Sequence, residues 1–188
     1  LLHPNDHINM SQSSNDPFPT AMHISAVLII EDKLFPAMDK LIATLKRLEK
    51  ENEGIVKSGR THLQDAVPVS FSQEISGWTN MIEKTKAQLS LTLAGLKELA
   101  LGGTAVGTGL NAPKGFAEEV ALQVSELTGK KFVTAENKYH ALTAKDELVF
   151  AHGALKALAC NLMKIANDVR WLASGPRDGL GEIFIPEN

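Results

Sequence analysis

ISGWTNMIEKTKAQLSLTLAGLKEL, residues 75–99, reads as one continuous helical face, and the rest of the chain is organised around it. Ile75, Trp78, Ile82, Thr85, Leu89, Thr92, Leu96 and Leu99 recur at spacings of three and four. That spacing lines up side chains on one side of an α-helix. The pattern predicts a helix over roughly 72–100.

Two further stretches carry the same period. Over roughly 17–52 the series is Ile24, Val27, Leu34, Met38, Leu41, Leu45 and Leu48, interrupted by Glu31. Pro36 lies inside it and predicts a kink or a break, because proline lacks the N–H that the helix needs there. Over roughly 144–174 the series is Leu148, Ala151, Leu155, Leu158, Leu162, Ile165, Val169 and Leu172. Gly175-Pro176 ends it, a stop followed by a residue that cannot continue a helix. At 1.5 Å per residue, a helix of about 30 residues is on the order of 45 Å long. Three such rods predict an all-α fold, a bundle of long helices. Ala151, Ala154, Ala157, Ala159 and Ala166 would allow close approach of neighbours. A shorter helix is expected over 116–127, closed by Gly129. The one candidate strand is 131–134.

Apolar residues off these stripes, among them Leu28, Ile29, Leu91, Leu93 and Ala173, imply burial on more than one side. Either oligomerisation or other parts of a longer chain would supply it. The 188 residues are read as a single central helical domain, truncated at both ends. Leu1 and Ile185-Pro186-Glu187-Asn188 look like internal positions of a longer protein.

Hydrophobic residues make up 44% of the chain and charged residues 22%, which is a globular composition. A net charge of −3 gives no basic footprint for nucleic acid. Cys160 is the single cysteine, so an intrachain disulfide and a Cys-based metal cluster are excluded. A reducing compartment fits: the cytoplasm, or the mitochondrial matrix in a eukaryote. No uninterrupted apolar run reaches the roughly 18 residues of a membrane span.

The chemistry-bearing residues cluster between the helices. The first segment is His3-Pro4-Asn5-Asp6-His7-Ile8-Asn9-Met10-Ser11-Gln12-Ser13-Ser14-Asn15-Asp16, followed by Pro17. Asn15 or Asp16 suits a helix cap, and Pro17 suits the first turn. The unpaired N–H groups there, beside the hydroxyls of Ser13 and Ser14 and the amide of Asn15, suit a carboxylate. A plain cap and turn explains the same residues. The second segment, Ser58-Gly59-Arg60-Thr61-His62-Leu63-Gln64-Asp65, is read as a loop. It sets His62, a candidate acid/base group, beside a hydroxyl and a cation. A histidine held in a turn explains that as well. The third, Gly102-Gly103-Thr104-Ala105-Val106-Gly107-Thr108-Gly109, lacks the lysine of a phosphate loop. Its glycines serve unusual backbone angles and close approach. His3, Asp6 and His7 lack the spacing of a metal site, and none is expected. His23, His140 and His152 are read as structural.

These words, in this order, resemble the fumarase/aspartase superfamily, and within it the class II fumarases. Lys164-Ile165-Ala166-Asn167-Asp168-Val169-Arg170 and Ser174-Gly175-Pro176-Arg177 continue the resemblance, which spans essentially the whole chain. Ser14 and His62 match the fumarase choice where aspartases typically have Thr and Gln. Tyr139-His140 departs from the Phe-Glu common in fumarases. The resemblance implies a homotetramer with a large central helical bundle, each active site drawing loops from three subunits. It implies that Ser13, Ser14, Asn15 and Thr61 bind substrate carboxylate and that His62 is the acid/base group, working through a water. His3, Asn5 and Asp6 would belong to an accessory dicarboxylate site. The implied reaction is reversible hydration of fumarate to L-malate through an aci-carboxylate, with no cofactor. It also implies that the catalytic serine lies on a Gly-Ser-Ser loop after Pro186-Glu187-Asn188, so that these 188 residues alone are inactive. An aspartate ammonia-lyase or another fumarate-forming lyase is the alternative of the same kind. A non-catalytic helical assembly module is the alternative of another kind; it has no need of Ser-Ser-Asn and Thr-His at helix ends.

Overall fold

A computed structural model describes residues 1–187; Asn188, the last residue of the Pro-Glu-Asn word, lies outside the described residues, as does the side chain of Asn5. Helices dominate. They are α1 (Pro17–Ile29), α2 (Phe35–Glu51), α3 (Phe71–Leu96), α4 (Phe116–Thr128), α5 (Lys138–Thr143) and α6 (Asp146–Leu172). Four strands accompany them: β1 (Val56–Thr61), β2 (Gln64–Ser70), β3 (Glu98–Leu99) and β4 (Val133–Thr134). The chain divides into two compact units, one of residues 1–36 with 89–152, the other of 37–88 with 153–188.

The stripe is buried in full, although α3 ends at Leu96 and Leu99 lies in β3. Ile75, Trp78, Ile82, Thr85, Leu89, Thr92, Leu96 and Leu99 are all buried. The two threonines fit because each hydroxyl returns to its own helix, Thr85 to the Met81 carbonyl (2.9 Å) and Thr92 to that of Leu89 (2.8 Å). A buried hydroxyl without such a partner would be costly. The helix starts with a reciprocal cap. The Gln73 N–H donates to Ser70 Oγ (3.1 Å), and the Ser70 N–H donates to Gln73 Oε1 (3.0 Å).

The break expected at Pro36 takes a defined form. A π-helical turn, Ile30–Leu34, separates α1 from α2, and the Phe35 N–H reaches back five residues to the Ile30 carbonyl. Pro36 then sits in the first turn of α2, where a missing N–H does no harm. Helix α4 ends on Gly129 at φ 66°, as its sequence foretold.

In the first unit the core is Val27, Ile30, Leu96, Leu99, Ala121, Phe132 and Ala151. Strand β3 pairs in parallel with β4 beside it, which accounts for the candidate strand at 131–134. In the second unit, polar pairs tie the helices. Lys46 meets Glu83 at 2.5 Å between α2 and α3. Trp78 Nε1 donates to Asp168 Oδ2 at 2.8 Å between α3 and α6.

Two expectations need correction. The segment read as a loop around Arg60-Thr61-His62 is an antiparallel β-hairpin, β1 with β2. The fold is therefore mainly helical with strands, rather than free of them. On the third stripe, Leu162 stays 40% exposed. Helix α6 also meets the length and composition of a membrane span, at a mean hydropathy of 1.3, although its apolar run is interrupted. Ala151, Ala154, Leu158 and Leu172 of that helix are buried, whereas 22% of its apolar window is buried in all.

Candidate active-site loops

In the first unit, Asp16 organises the polar segment before α1. It is the helix's N-cap residue, yet its side chain does not cap the helix. The fully buried carboxylate accepts instead from the Ser13 N–H (2.9 Å) through Oδ1, and from the N–H groups of Gly102 (3.0 Å) and Thr104 (2.9 Å) through Oδ2. Asn15 Nδ2 donates to the Ala105 carbonyl at 2.7 Å. The Ser-Ser-Asn segment is thus bolted to the Gly-rich loop by both neighbouring side chains. A plain capping turn does not describe it.

The glycines do what their sequence implied. Gly102 has φ 96°, and a Cβ there would lie 2.4 Å from that of Ala117. Gly107 has φ 100°, and its Cβ would lie 2.8 Å from the ring of Tyr139. Lys138 braces the same loop, donating to the carbonyls of Leu99 (2.8 Å) and Leu101 (2.9 Å) and to the Thr134 hydroxyl. Burial pulls its ammonium below the usual lysine range. A cleft of about 470 Å³ opens against these loops, lined in part by Ser14, Asn15, Phe18, Val106 and Lys145. Lys145 was not legible as a site residue, because its place beside Ser14 comes from the turn between α5 and α6. Asp6 lies on an exposed π-helical turn, Pro4–Ile8, and His3 is its N-cap. There the Asp6 N–H donates to His3 Nδ1 (3.2 Å), and Asp6 Oδ2 lies 3.1 Å from the same nitrogen.

In the second unit, Thr61 and His62 stand at the tip of the hairpin. Thr61 pairs with Gln64, so His62 and Leu63 form a two-residue turn. Both have positive φ, 52° and 63°. Two positive φ values are the mark of a type I′ turn, usually made by Asn and Gly. Histidine and leucine carry strain there, on the order of 1–2 kcal/mol each. Gly59 opposes a bulge in β2; a Cβ at that position would lie 2.6 Å from the Val67 carbonyl oxygen. Thr61 and His62 are exposed, and the hairpin walls a cleft of about 660 Å³ that Lys164, Asp168 and Trp171 also line.

Below the tip lies a cluster of charges. Arg60 donates to Glu182 Oε1 at 2.5 Å, and Lys57 Nζ lies 2.9 Å from Glu182 Oε2 and 2.7 Å from Glu74 Oε2. Glu182 Oε2 is buried, and the Lys57 ammonium at 2.9 Å is the charge that faces it. Burial pushes the Glu182 carboxyl up, but Arg60 and Lys57 outweigh that and leave it below the usual range. Burial likewise pulls the Lys57 ammonium down, and Glu74 and Glu182 outweigh it in the other direction. Glu182 went unnoticed in the sequence because it stands 122 residues from Arg60.

Ser14 and Asn15 therefore share one cleft, and Thr61 and His62 share another. The two pairs belong to different units.

Comparison with known proteins adds the following. A family model described as "Lyase" matches residues 1–188. The class II fumarate hydratase of Campylobacter jejuni is 60% identical over 188 residues, which is all of this chain and 41% of that protein. That of Bacillus subtilis is 58% identical over 187 residues, covering 40% of its length. The crystal structure of a class II fumarase from Schistosoma mansoni superposes with a TM-score of 0.93 at 41% identity, over 95% of this chain and 40% of that one. A fumarate lyase:delta crystallin from Brucella melitensis superposes with a TM-score of 0.94 at 39% identity, over 98% and 40%. The chain spans about two fifths of the length of the curated relatives that it matches.

Proposed function

The chain belongs to this lyase family over its whole length, and on that premise we propose that its parent protein is a fumarate hydratase, interconverting fumarate and L-malate. The observation that carries the reading is 58–60% identity to class II fumarate hydratases across the full chain. From the motifs bearing that likeness, Ser14, Asn15, Thr61 and His62 line clefts.

In this reading, the 188 residues are the central helical domain of the enzyme, and α3 and α6 belong to a long-helix bundle shared by four identical subunits. Ile29, Leu91, Val149 and Met163 support it, since each is apolar and more than 60% exposed. Light scattering on the parent protein should give a mass of four chains; a monomer would remove the bundle from the proposal. The residence proposed is the cytoplasm.

Ser13, Ser14 and Asn15 bind one carboxylate of the substrate, and Thr61 contributes a further donor. The catalytic serine that the family resemblance implies takes the proton beside the other carboxylate of malate, and His62 is the acid/base group that works through a water. The electron pair moves onto that carboxylate, giving the aci-carboxylate. Its collapse expels the hydroxyl group, which leaves as water after protonation, and fumarate remains. The charge that develops needs donors fixed in advance, and preorganised donors usually supply the largest share of such catalysis. The bolting of Asn15 and Asp16 to the Gly-rich loop supplies that fixity on the Ser-Ser-Asn side. His3, Asn5 and Asp6 form the accessory dicarboxylate site of this reading.

The test is ultraviolet absorbance of fumarate, with the parent protein given L-malate, L-aspartate and argininosuccinate separately. Fumarate from malate alone supports the proposal. Fumarate from aspartate with malate inert would leave only the family.

A further inference from the structure

The hairpin tip raises a physical question. His62 and Leu63 hold left-handed backbone angles that neither residue favours, and the tip is exposed. A strained turn persists only where its surroundings determine it. Short-range contacts do not account for it: the turn is two residues long and lacks the usual Asn-Gly. The determinants therefore lie further down the hairpin.

Glu182 is placed to be one. Its own backbone is fixed, the N–H donating at 2.8 Å to the carbonyl of Leu172, the last residue of α6. Its carboxylate is 20% exposed, holds Arg60 at 2.5 Å and lies 2.9 Å from Lys57. Arg60 is the residue before Thr61. Lys57 also reaches Glu74 on α3. One carboxylate thus joins two points of β1 to the segment after α6, and Lys57 extends the link to α3. A half-buried, multiply paired cluster holds geometry far better than an exposed pair.

We propose that Glu182 is a positioning residue for His62, acting through Arg60 and Lys57 to set the hairpin that aims the imidazole. The inference rests on the fumarate hydratase reading for its kinetic readout only. Glu182 itself touches no substrate in this scheme.

The test uses the full-length protein, with Glu182→Gln, Arg60→Gln and the conservative Arg60→Lys. Circular dichroism comes first, then amide hydrogen exchange, then kcat and KM for L-malate. The expected result for Glu182→Gln is exchange at the paired amides of Thr61 and Gln64, which close the tip, at least tenfold faster, with α3 and α6 unchanged. With it, kcat falls about tenfold to a hundredfold, the scale of a misplacement of about 1 Å. Arg60→Gln should do the same, and Arg60→Lys should recover most of the loss. Unchanged tip exchange with kcat within twofold overturns the proposal. So does faster exchange throughout the helices, or loss of fold in both Gln variants, because either makes the cluster a folding element. If the parent protein does not act on malate, the function reading fails, and the exchange result alone decides the positioning role.

Discussion

The buried carboxylate of Asp16 accepts the backbone N–H of Thr104 at 2.9 Å, across 88 positions of sequence. Gly102 and Ser13 donate to the same carboxylate. Asp16→Ala would leave two buried donors and one part-buried donor without their acceptor. Charge-assisted hydrogen bonds contribute about 1.5–3 kcal/mol each and do not add simply. The expected loss is about 3 kcal/mol or more in denaturant unfolding of the full-length chain, with Asp16→Asn losing less. A loss under about 1 kcal/mol would show that other contacts hold the loop.

The two residues of the hairpin tip should respond oppositely. Leu63→Gly removes a left-handed strain of about 1–2 kcal/mol and adds back about 0.5–1 for glycine's freedom when unfolded. A net stabilisation of about 0.5–1 kcal/mol is expected, since the leucine is 67% exposed and little burial is lost. His62→Asn keeps the turn, because asparagine tolerates positive φ. Malate turnover should nevertheless fall about 10²–10⁴-fold, the usual contribution of an acid/base group. Full activity in His62→Asn would remove His62 from the mechanism.

Acid should loosen both units. Glu31 is raised by burial and lowered further by Lys97 (2.6 Å) and Lys130 (3.2 Å), for a net value below the usual range. Glu182 behaves alike. A carboxyl depressed in the folded state gives stability that is complete above its unfolded value, about pH 4.3. That stability is lost as pH falls through the folded value. Glu31→Gln and Glu182→Gln should each flatten the acid limb of a stability-against-pH curve. An unchanged limb in both would mean that these pairs hold little in solution.

Leu96 is fully buried in the core that α3 shares with Phe132 and Ala121. Leu96→Ala should cost about 2–5 kcal/mol by thermal or chemical unfolding. A cost below about 1 kcal/mol would place the core elsewhere.

The 188 residues expressed alone should show no hydration of fumarate above background. The family resemblance puts the catalytic serine on a loop after Pro186-Glu187-Asn188. Measurable turnover by this piece would mean that the serine is dispensable.

The helices were legible because each buries one face. Every residue of the stripe from Ile75 to Leu99 is buried, and Gly129 closes α4 where its sequence says. The hairpin was hidden for the converse reason. Residues 64–68 of β2 are exposed on both faces, so no alternation exists to be read. Pro68 cannot donate to a strand ladder, and the turn is His-Leu in place of the usual Asn-Gly. The candidate site divides in the same way. Ser14, Asn15, Thr61 and His62 could be named from local words. Asp16 and Glu182 could not be assigned their roles, because Gly102 lies 86 residues from the first and Arg60 lies 122 from the second.

Ser70 both ends β2 and caps α3, so no residue is left between hairpin and helix to act as a hinge. The hairpin is in effect a lever cantilevered from α3. Six steps of strand from Ser70 to Gln64 make an arm of about 20 Å. Tilting that arm by about 5° would carry the imidazole of His62 through roughly 1.7 Å, more than the misplacement of about 1 Å that can cost a hundredfold in rate. Angular stiffness at Ser70, together with the ties of Glu182 to β1, therefore sets the aiming tolerance of a side chain eight residues away.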